Sequence, residues 1–219
     1  MPVKVKICGI KTPEALQAAL TARADLIGLN FYPPSPRSLA IDVAAALAEL
    51  ARGKVGIVAL VVDADDALIE RIVAEVAPDM LQLHGSETPE RVAEIARRWG
   101  KPVIKAIKVE TAADAARALD YADVASLILF DAKAPKDLAG ALPGGNGLAF
   151  DWHALDGVKD RVPFLLSGGL SPENVGAAIA VTGATLVDVS SAVETAPGVK
   201  SPDLIRRFID AARAVHAPA

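Results

Sequence analysis

Along the chain, short β-branched or leucine-rich runs with a period near two give way repeatedly to Ala-, Glu- and Arg-rich stretches in which apolar residues recur every three or four positions. The first pattern predicts strands and the second amphipathic helices. Eight such pairs are read, with strands expected at 3–8, 26–30, 55–61, 80–84, 103–107, 127–130, 164–167 and 186–189. Thr12-Pro13, Thr88-Pro89, Ser171-Pro172 and Ser201-Pro202 each put a capping hydroxyl before a proline suited to the first helical position, and so predict four helix starts. Eight alternating units with short connections over 219 residues predict one domain over residues 1–219, a (β/α)8 barrel with parallel strands. An open, flavodoxin-like sheet is the alternative.

The parity of the first strand gives the barrel reading its chemistry. Val3, Val5 and Ile7 form one face and Lys4, Lys6 and Cys8 the other, because successive strand side chains point to opposite sides. In a barrel wrapped by helices the apolar row packs outward, and Cys8 points inward at the strand's C-terminal end, the face on which barrel enzymes keep their active sites.

Composition then narrows the partners. Hydrophobic residues make up 52% and the mean hydropathy is +0.34, as expected of a parallel sheet buried on both faces. No apolar run approaches the roughly 18 to 20 residues needed to span a bilayer. MPVKVKICGI lacks the apolar core of a secretory signal, which predicts a cytoplasmic protein. One cysteine allows no internal disulfide, and no Cys/His cluster has metal-ligand spacing, so neither metal nor cofactor is expected. A net charge of -4 and a pI near 5.4 argue against nucleic acid and for local positive charge as the means of holding an anionic small molecule. A monomer and a homodimer are both compatible with these features.

Several residues stand out at strand ends. A lone cysteine in an apolar strand commonly behaves as a small buried hydrophobe. Lys6 on the same face changes that, since a nearby ammonium lowers a thiol from its reference of about 8.5 and favours a basic thiolate. Gln82 and His84 share the expected inner face of the fourth strand, where polar groups need partners or a ligand. Asp131 follows an otherwise apolar sixth strand, either capping the next turn or acting as an acid. The stiff loop Pro33-Pro34-Ser35-Pro36-Arg37 holds a guanidinium near the barrel mouth. The other long connection, 131–152, contains PGGNG. Gly168 and Gly169 after strand seven, with Ser190 and Ser191 after strand eight, match the usual barrel phosphate site.

Taken together, KICGI at 6–10, SPR at 35–37, QLHG at 82–85, FDW at 150–152, SGGL at 167–170 and VDVSS at 187–191 resemble the phosphoribosylanthranilate isomerases of tryptophan biosynthesis. The resemblance runs nearly end to end. It implies a TIM barrel that performs an Amadori rearrangement of a phosphorylated aminoaldose without metal or cofactor. It also implies Cys8 as general base, Asp131 as general acid and Arg37 on the anthranilate carboxylate. Gln82, His84 and Asp188 would contact substrate, and Gly168, Gly169, Ser190 and Ser191 its phosphate. An acid at neutral pH needs a carboxyl raised roughly two units or more above about 3.9, and Leu127, Leu129 and Phe130 are the expected source of desolvation. Ser167, Asn146 and Ala192 depart from the family pattern. Ala192 is expected to crowd the phosphate loop by adding a Cβ where glycine is usual. Rival readings are a broader-range isomerase that also serves histidine biosynthesis, and a non-catalytic phosphosugar-binding barrel. The first would use an aspartate where Cys8 stands, and turnover would separate the second.

Overall fold

A computed structural model describes residues 2–133, 144 and 147–215. Asn146, one of the departures above, lies outside the described residues. Eight parallel strands close into a barrel in chain order: β1 Lys4–Cys8, β2 Leu26–Asn30, β3 Gly56–Val61, β4 Met80–Leu83, β5 Val103–Val109, β6 Leu127–Ala132, β7 Phe164–Leu166 and β8 Leu186–Val189. Closure is made by β1 on β8, in register from Lys4 opposite Leu186 to Ile7 opposite Val189.

Strand parity explains the two cores. Val58, Ile104, Ala106, Leu129 and Leu165 fill the barrel, joined by Leu26, Met80, Leu127 and Leu186. Val5, Ile7, Leu81, Leu83, Ile128, Phe130, Val187 and Val189 face outward and pack beneath the helices. The helices are α1 Pro13–Thr21, α2 Ile41–Ala51, α3 Asp66–Glu75, α4 Pro89–Trp99, α5 Ala112–Ala116 with a 3-10 turn after it, α6 Val175–Thr182 and α7 Pro202–Ala214. Among the described residues, the segment between β6 and β7 holds only a 3-10 turn at Trp152–Leu155. No helix among the described residues is long and apolar enough to cross a membrane.

Two expectations about boundaries are corrected. β5 and β6 run two residues further than hydrophobicity indicates, because Lys108 pairs with Asp131 and Val109 with Ala132 in the ladder. Backbone pairing continues there although the side chains have become charged, and Asp131 therefore belongs to the strand rather than to a following cap. Thr12, Thr88 and Ser201 cap α1, α4 and α7 as expected, whereas Ser171 does not start a helix. Its Oγ accepts from the Glu173 N–H and its own N–H donates to Asn174 Oδ1, so the two side chains stabilise a turn and α6 begins only at Val175.

Candidate active site

The inner faces of the strands change from apolar to polar toward their C-terminal ends, and the polar residues gather around one pocket. Cys8, Asn30, Arg37, Gln82, His84, Asp131, Ser167, Gly168, Gly169, Asp188, Ser190 and Ser191 all line it. Every site residue expected from the sequence is thus brought to a single cavity.

At its floor Lys6, fully buried, donates to Asp188 Oδ1 at 2.8 Å, and Ser167 Oγ donates to Asp188 Oδ2 at 3.3 Å. A Cβ at position 28 would lie 2.8 Å from Cys8 Sγ and 3.2 Å from Lys6 Nζ. Gly28 is therefore what leaves room for thiol and ammonium side by side. Burial pulls the Lys6 ammonium down, but the charges of Asp188 and Cys8 outweigh it and leave it above the ordinary lysine value. Cys8 corrects an expectation. Burial pushes its thiol up, Lys6 and Lys200 pull it down, Asp188 pushes it up again, and the net direction is upward. The ammonium is in place, but desolvation and the Asp188 charge outweigh it.

Across the pocket, Asp131 Oδ1 accepts from the Ala132 N–H at 3.0 Å and Oδ2 lies 3.2 Å from His84 Nε2. Gln82 Nε2 lies 2.9 Å from His84 Nδ1. If the amide donates, Nδ1 is the acceptor and the ring proton sits on Nε2, directed at Asp131. His84 thus stands behind Asp131 as much as toward a ligand. Gln82 Oε1 is buried and has no hydrogen-bond partner among the described residues. Leu129 shares the inner face with Asp131 and Leu127 packs onto the same interior cluster, but Phe130 points outward and stacks at a tilt on Phe164, 5.7 Å between ring centres. Phe130 therefore does not desolvate Asp131 as expected, because its parity is opposite.

The rim is built from loops. Gly168 and Gly169 have φ of +83° and +62°, and a Cβ on either would strike backbone, at Ala132 and at Leu148 respectively. Only glycine allows backbone N–H groups to approach an anion there. Ser190 Oγ donates to the Cys8 carbonyl, which ties the loop after β8 to β1. Ala192 corrects a third expectation. It is not among the positive-φ residues, lies in a 3-10 turn and packs its methyl onto the outer core, so the backbone has no need of glycine there.

Arg37 is buried rather than in open solvent. Ser35 Oγ accepts its N–H, and Glu194 takes its side chain in a fork, 2.8 Å from Nε to Oε1 and 2.8 Å from Nη2 to Oε2. Glu194 and its partner Lys200 are the residues that sequence reasoning missed. Their signal was the run Glu194-Thr195-Ala196-Pro197-Gly198-Val199-Lys200, where a Pro-Gly turn between an acid and a base marks a hairpin with a cross-strand charge pair.

The sequence profile of the family described as N-(5'-phosphoribosyl)anthranilate (PRA) isomerase matches residues 5–211. An enzyme of that name from Rhodopseudomonas palustris is 55% identical over 98% of this chain and all of its own. The crystal structure of phosphoribosyl anthranilate isomerase from Thermotoga maritima is 37% identical with a TM-score of 0.87, covering 97% of this chain and all of the other. A phosphoribosyl anthranilate isomerase solved with reduced 1-(o-carboxyphenylamino)-1-deoxyribulose 5-phosphate is 36% identical at a TM-score of 0.84, with the same coverage.

Proposed function

The chain belongs to the N-(5'-phosphoribosyl)anthranilate isomerase family, and on that premise we propose how its pocket divides the work. The protein is an isomerase of tryptophan biosynthesis acting on a phosphorylated small molecule, N-(5'-phosphoribosyl)anthranilate. Its reaction moves hydrogen within the substrate, so one group must give a proton and another must take one.

Asp131 gives a proton to the furanose ring oxygen, the ring opens to a Schiff base, and Cys8 as thiolate removes the proton from C2. The resulting enolamine tautomerises to the ketone, its hydroxyl proton being lost as C1 gains one; the Cys8 thiol then gives up the proton it took and Asp131 regains the one it gave, which resets both groups. Arg37 holds the anthranilate carboxylate, and the backbone of Gly168, Gly169, Ser190 and Ser191 holds the phosphate. Asp188 keeps Lys6 beside the sulfur, and Gln82 and His84 orient Asp131 while bordering the substrate. The observation that carries this reading is that Cys8 on β1 and Asp131 on β6 line the same pocket as the guanidinium and the glycine loop. We place the enzyme in the cytoplasm and regard residues 1–219 as one domain.

The test is turnover. Purified protein is expected to consume N-(5'-phosphoribosyl)anthranilate, followed by its fluorescence, in excess chelator and without added cofactor. Turnover that vanishes with chelator, or that survives intact in both Cys8→Ser and Asp131→Asn, would overturn these assignments.

A further inference from the structure

His84 stands between an amide and a carboxyl, and what it offers one of them fixes what it offers the other. A neutral imidazole has one N–H donor and one bare acceptor nitrogen. Nδ1 lies 2.9 Å from the Gln82 amide, and Nε2 lies 3.2 Å from Asp131 Oδ2. Gln82 and His84 are two positions apart at the end of β4, so their side chains leave the same face and the amide reaches the ring along the strand. All three residues are buried. When the amide turns its N–H to Nδ1, the ring proton is on Nε2 and Asp131 is the carboxylate that accepts it. When the amide turns its oxygen to Nδ1, that nitrogen carries the proton, Nε2 is bare, and the carboxyl group that meets it must bring its own proton.

The surroundings of the amide permit either orientation. Its oxygen and nitrogen are nearly equal in size, so half a turn about the side chain keeps the contact to Nδ1. The end away from the ring, Oε1 in one orientation, has no partner among the described residues to hold it there. A second observation raises the stakes at the far side of the ring. A Cβ on Gly144 would lie 2.6 Å from both Asp131 Oδ2 and His84 Nε2, so the backbone at Gly144 packs directly over the two atoms. In such a covered site a matched donor and acceptor are worth more than in water, and two lone pairs facing each other cost more.

We propose that Gln82 is a positioning residue that turns its amide oxygen to His84 Nδ1 and so keeps Asp131 protonated as the general acid. The proposal rests on the reading above that Asp131 is that acid. An acid has to hold a proton before it can give one, and Phe130, on the opposite face of β6, does not help it by desolvation. The tautomer does so by hydrogen bonding: the Asp131 hydroxyl donates to bare Nε2, and a carboxylate in its place would face a lone pair. In turnover the O–H bond of Asp131 breaks as the furanose ring oxygen takes the proton, and the bond to Nε2 is restored when Asp131 regains one. His84 and Gln82 keep their protons throughout, so the cycle balances without a further group.

The tautomer of His84 can be read directly. The chain has three histidines, so a protein carrying isotopically labelled histidine gives a simple nitrogen NMR spectrum, in which bare and protonated ring nitrogens resonate far apart. His84→Asn identifies the signals of His84. In the wild-type protein at neutral pH, Nδ1 is expected to be protonated and Nε2 bare. In Gln82→Met, which fills the same space without polar atoms, the Nε2–H form should replace it, and kcat should fall by roughly 2- to 10-fold, the worth of one neutral hydrogen bond. A glutamine that only fills the core would leave the tautomer unchanged on this substitution. The proposal is overturned if wild type shows Nε2–H, alone or with Nδ1–H, or if Gln82→Met keeps the wild-type tautomer. The wild-type spectrum decides the first point even if Gln82→Met fails to fold. Failure of the underlying reading looks different: Asp131→Asn would then retain turnover, whatever tautomer His84 shows.

Discussion

Two lysines of the barrel are equally buried and meet different fates. Lys6 on β1 faces the lumen and pairs with Asp188 at 2.8 Å; Lys105 on β5 faces the helices and pairs with Glu87 at 2.6 Å. Their side chains are 0% and 2% exposed. Burial depresses Lys105, and Glu87 and Asp63 do not fully offset it. Burial depresses Lys6 as well, but Asp188 and the Cys8 sulfur together reverse the direction. One lysine thus has a structural partner, and the other stands between two groups that can both be anionic.

Their surroundings explain the difference. Lys105 also donates to the Gly85 carbonyl, and Glu87 accepts from the N–H groups of Asp63 and Gly85 while its carbonyl accepts from Tyr121. That knot fastens the loops after β3 and β4 and so fixes where His84 ends up. Lys6 fastens no loop. Its neighbours are the Cys8 thiol and the Asp188 carboxylate, which line the pocket above it, and a cation there acts on the ionisation of Cys8. Burial of a charge by itself does not identify a functional residue; the parity of its strand and the identity of its neighbours do.

The largest effect is expected on the chemistry. Cys8→Ser and Asp131→Asn are each expected to lower kcat by about two to four decades, the usual loss of a general base or acid, with folding retained by circular dichroism. Lys105→Met should leave kcat of the folded protein within a few-fold of wild type. A large kcat loss from Lys105→Met, or a small one from Cys8→Ser, would reverse the roles assigned here.

The next largest effect is on stability. Lys105→Met leaves Glu87 buried and unpaired and should cost about 3 to 5 kcal/mol in urea unfolding. Adding Glu87→Gln should restore much of it, because the stranded charge is then gone. If the single variant is as stable as wild type, the knot does not hold the loops.

Lys6→Met sharpens the contrast. It removes the nearest cation and leaves Asp188 facing the sulfur, and both changes push the thiol further up. Since a base must be deprotonated to work, the rise of kcat/KM with pH should move to higher pH, in step with thiolate absorbance in the ultraviolet. An alkaline limb that stays in place would separate Lys6 from Cys8.

The smallest effect is a difference in sign at alkaline pH. Lys6, held above the ordinary lysine value, contributes stability that is present below about 10.4 and lost as pH rises through its folded value. Lys105, held below it, binds fewer protons folded than unfolded, so stability rises with pH from its folded value up to about 10.4. Compared with wild type, Lys6→Met should therefore lose stability less steeply in strong alkali, and Lys105→Met should lack the gain just below it. Parallel alkaline unfolding curves for the two variants would contradict the opposite directions.

Periodicity was enough for the eight strands and the inward parity of Cys8, Gln82 and His84, and hydroxyl-proline pairs for three of the four expected helix caps; the inward place of Asp131 came only with the longer ladder. Those features depend on local repeats and on residues a few positions apart, and local physics is written in order along the chain. The proline-rich loop and the small residues after the last two barrel strands pointed to Arg37, Gly168, Gly169, Ser190 and Ser191, and the resemblance added Asp188; the fold then gathered them at one pocket. Other features depend on what lies across the barrel. That Gly28 makes space for sulfur and ammonium, that Phe130 faces away from the pocket, and that Ala192 has a home for its methyl follow from strand register and packing. The thiol's direction was misread because an ammonium is visible in the sequence and desolvation is not. Glu194 lies 157 residues from the arginine it holds, and only closure of β1 on β8 brings the loops that carry them together, because long-range electrostatic pairing is set by topology and not by spacing.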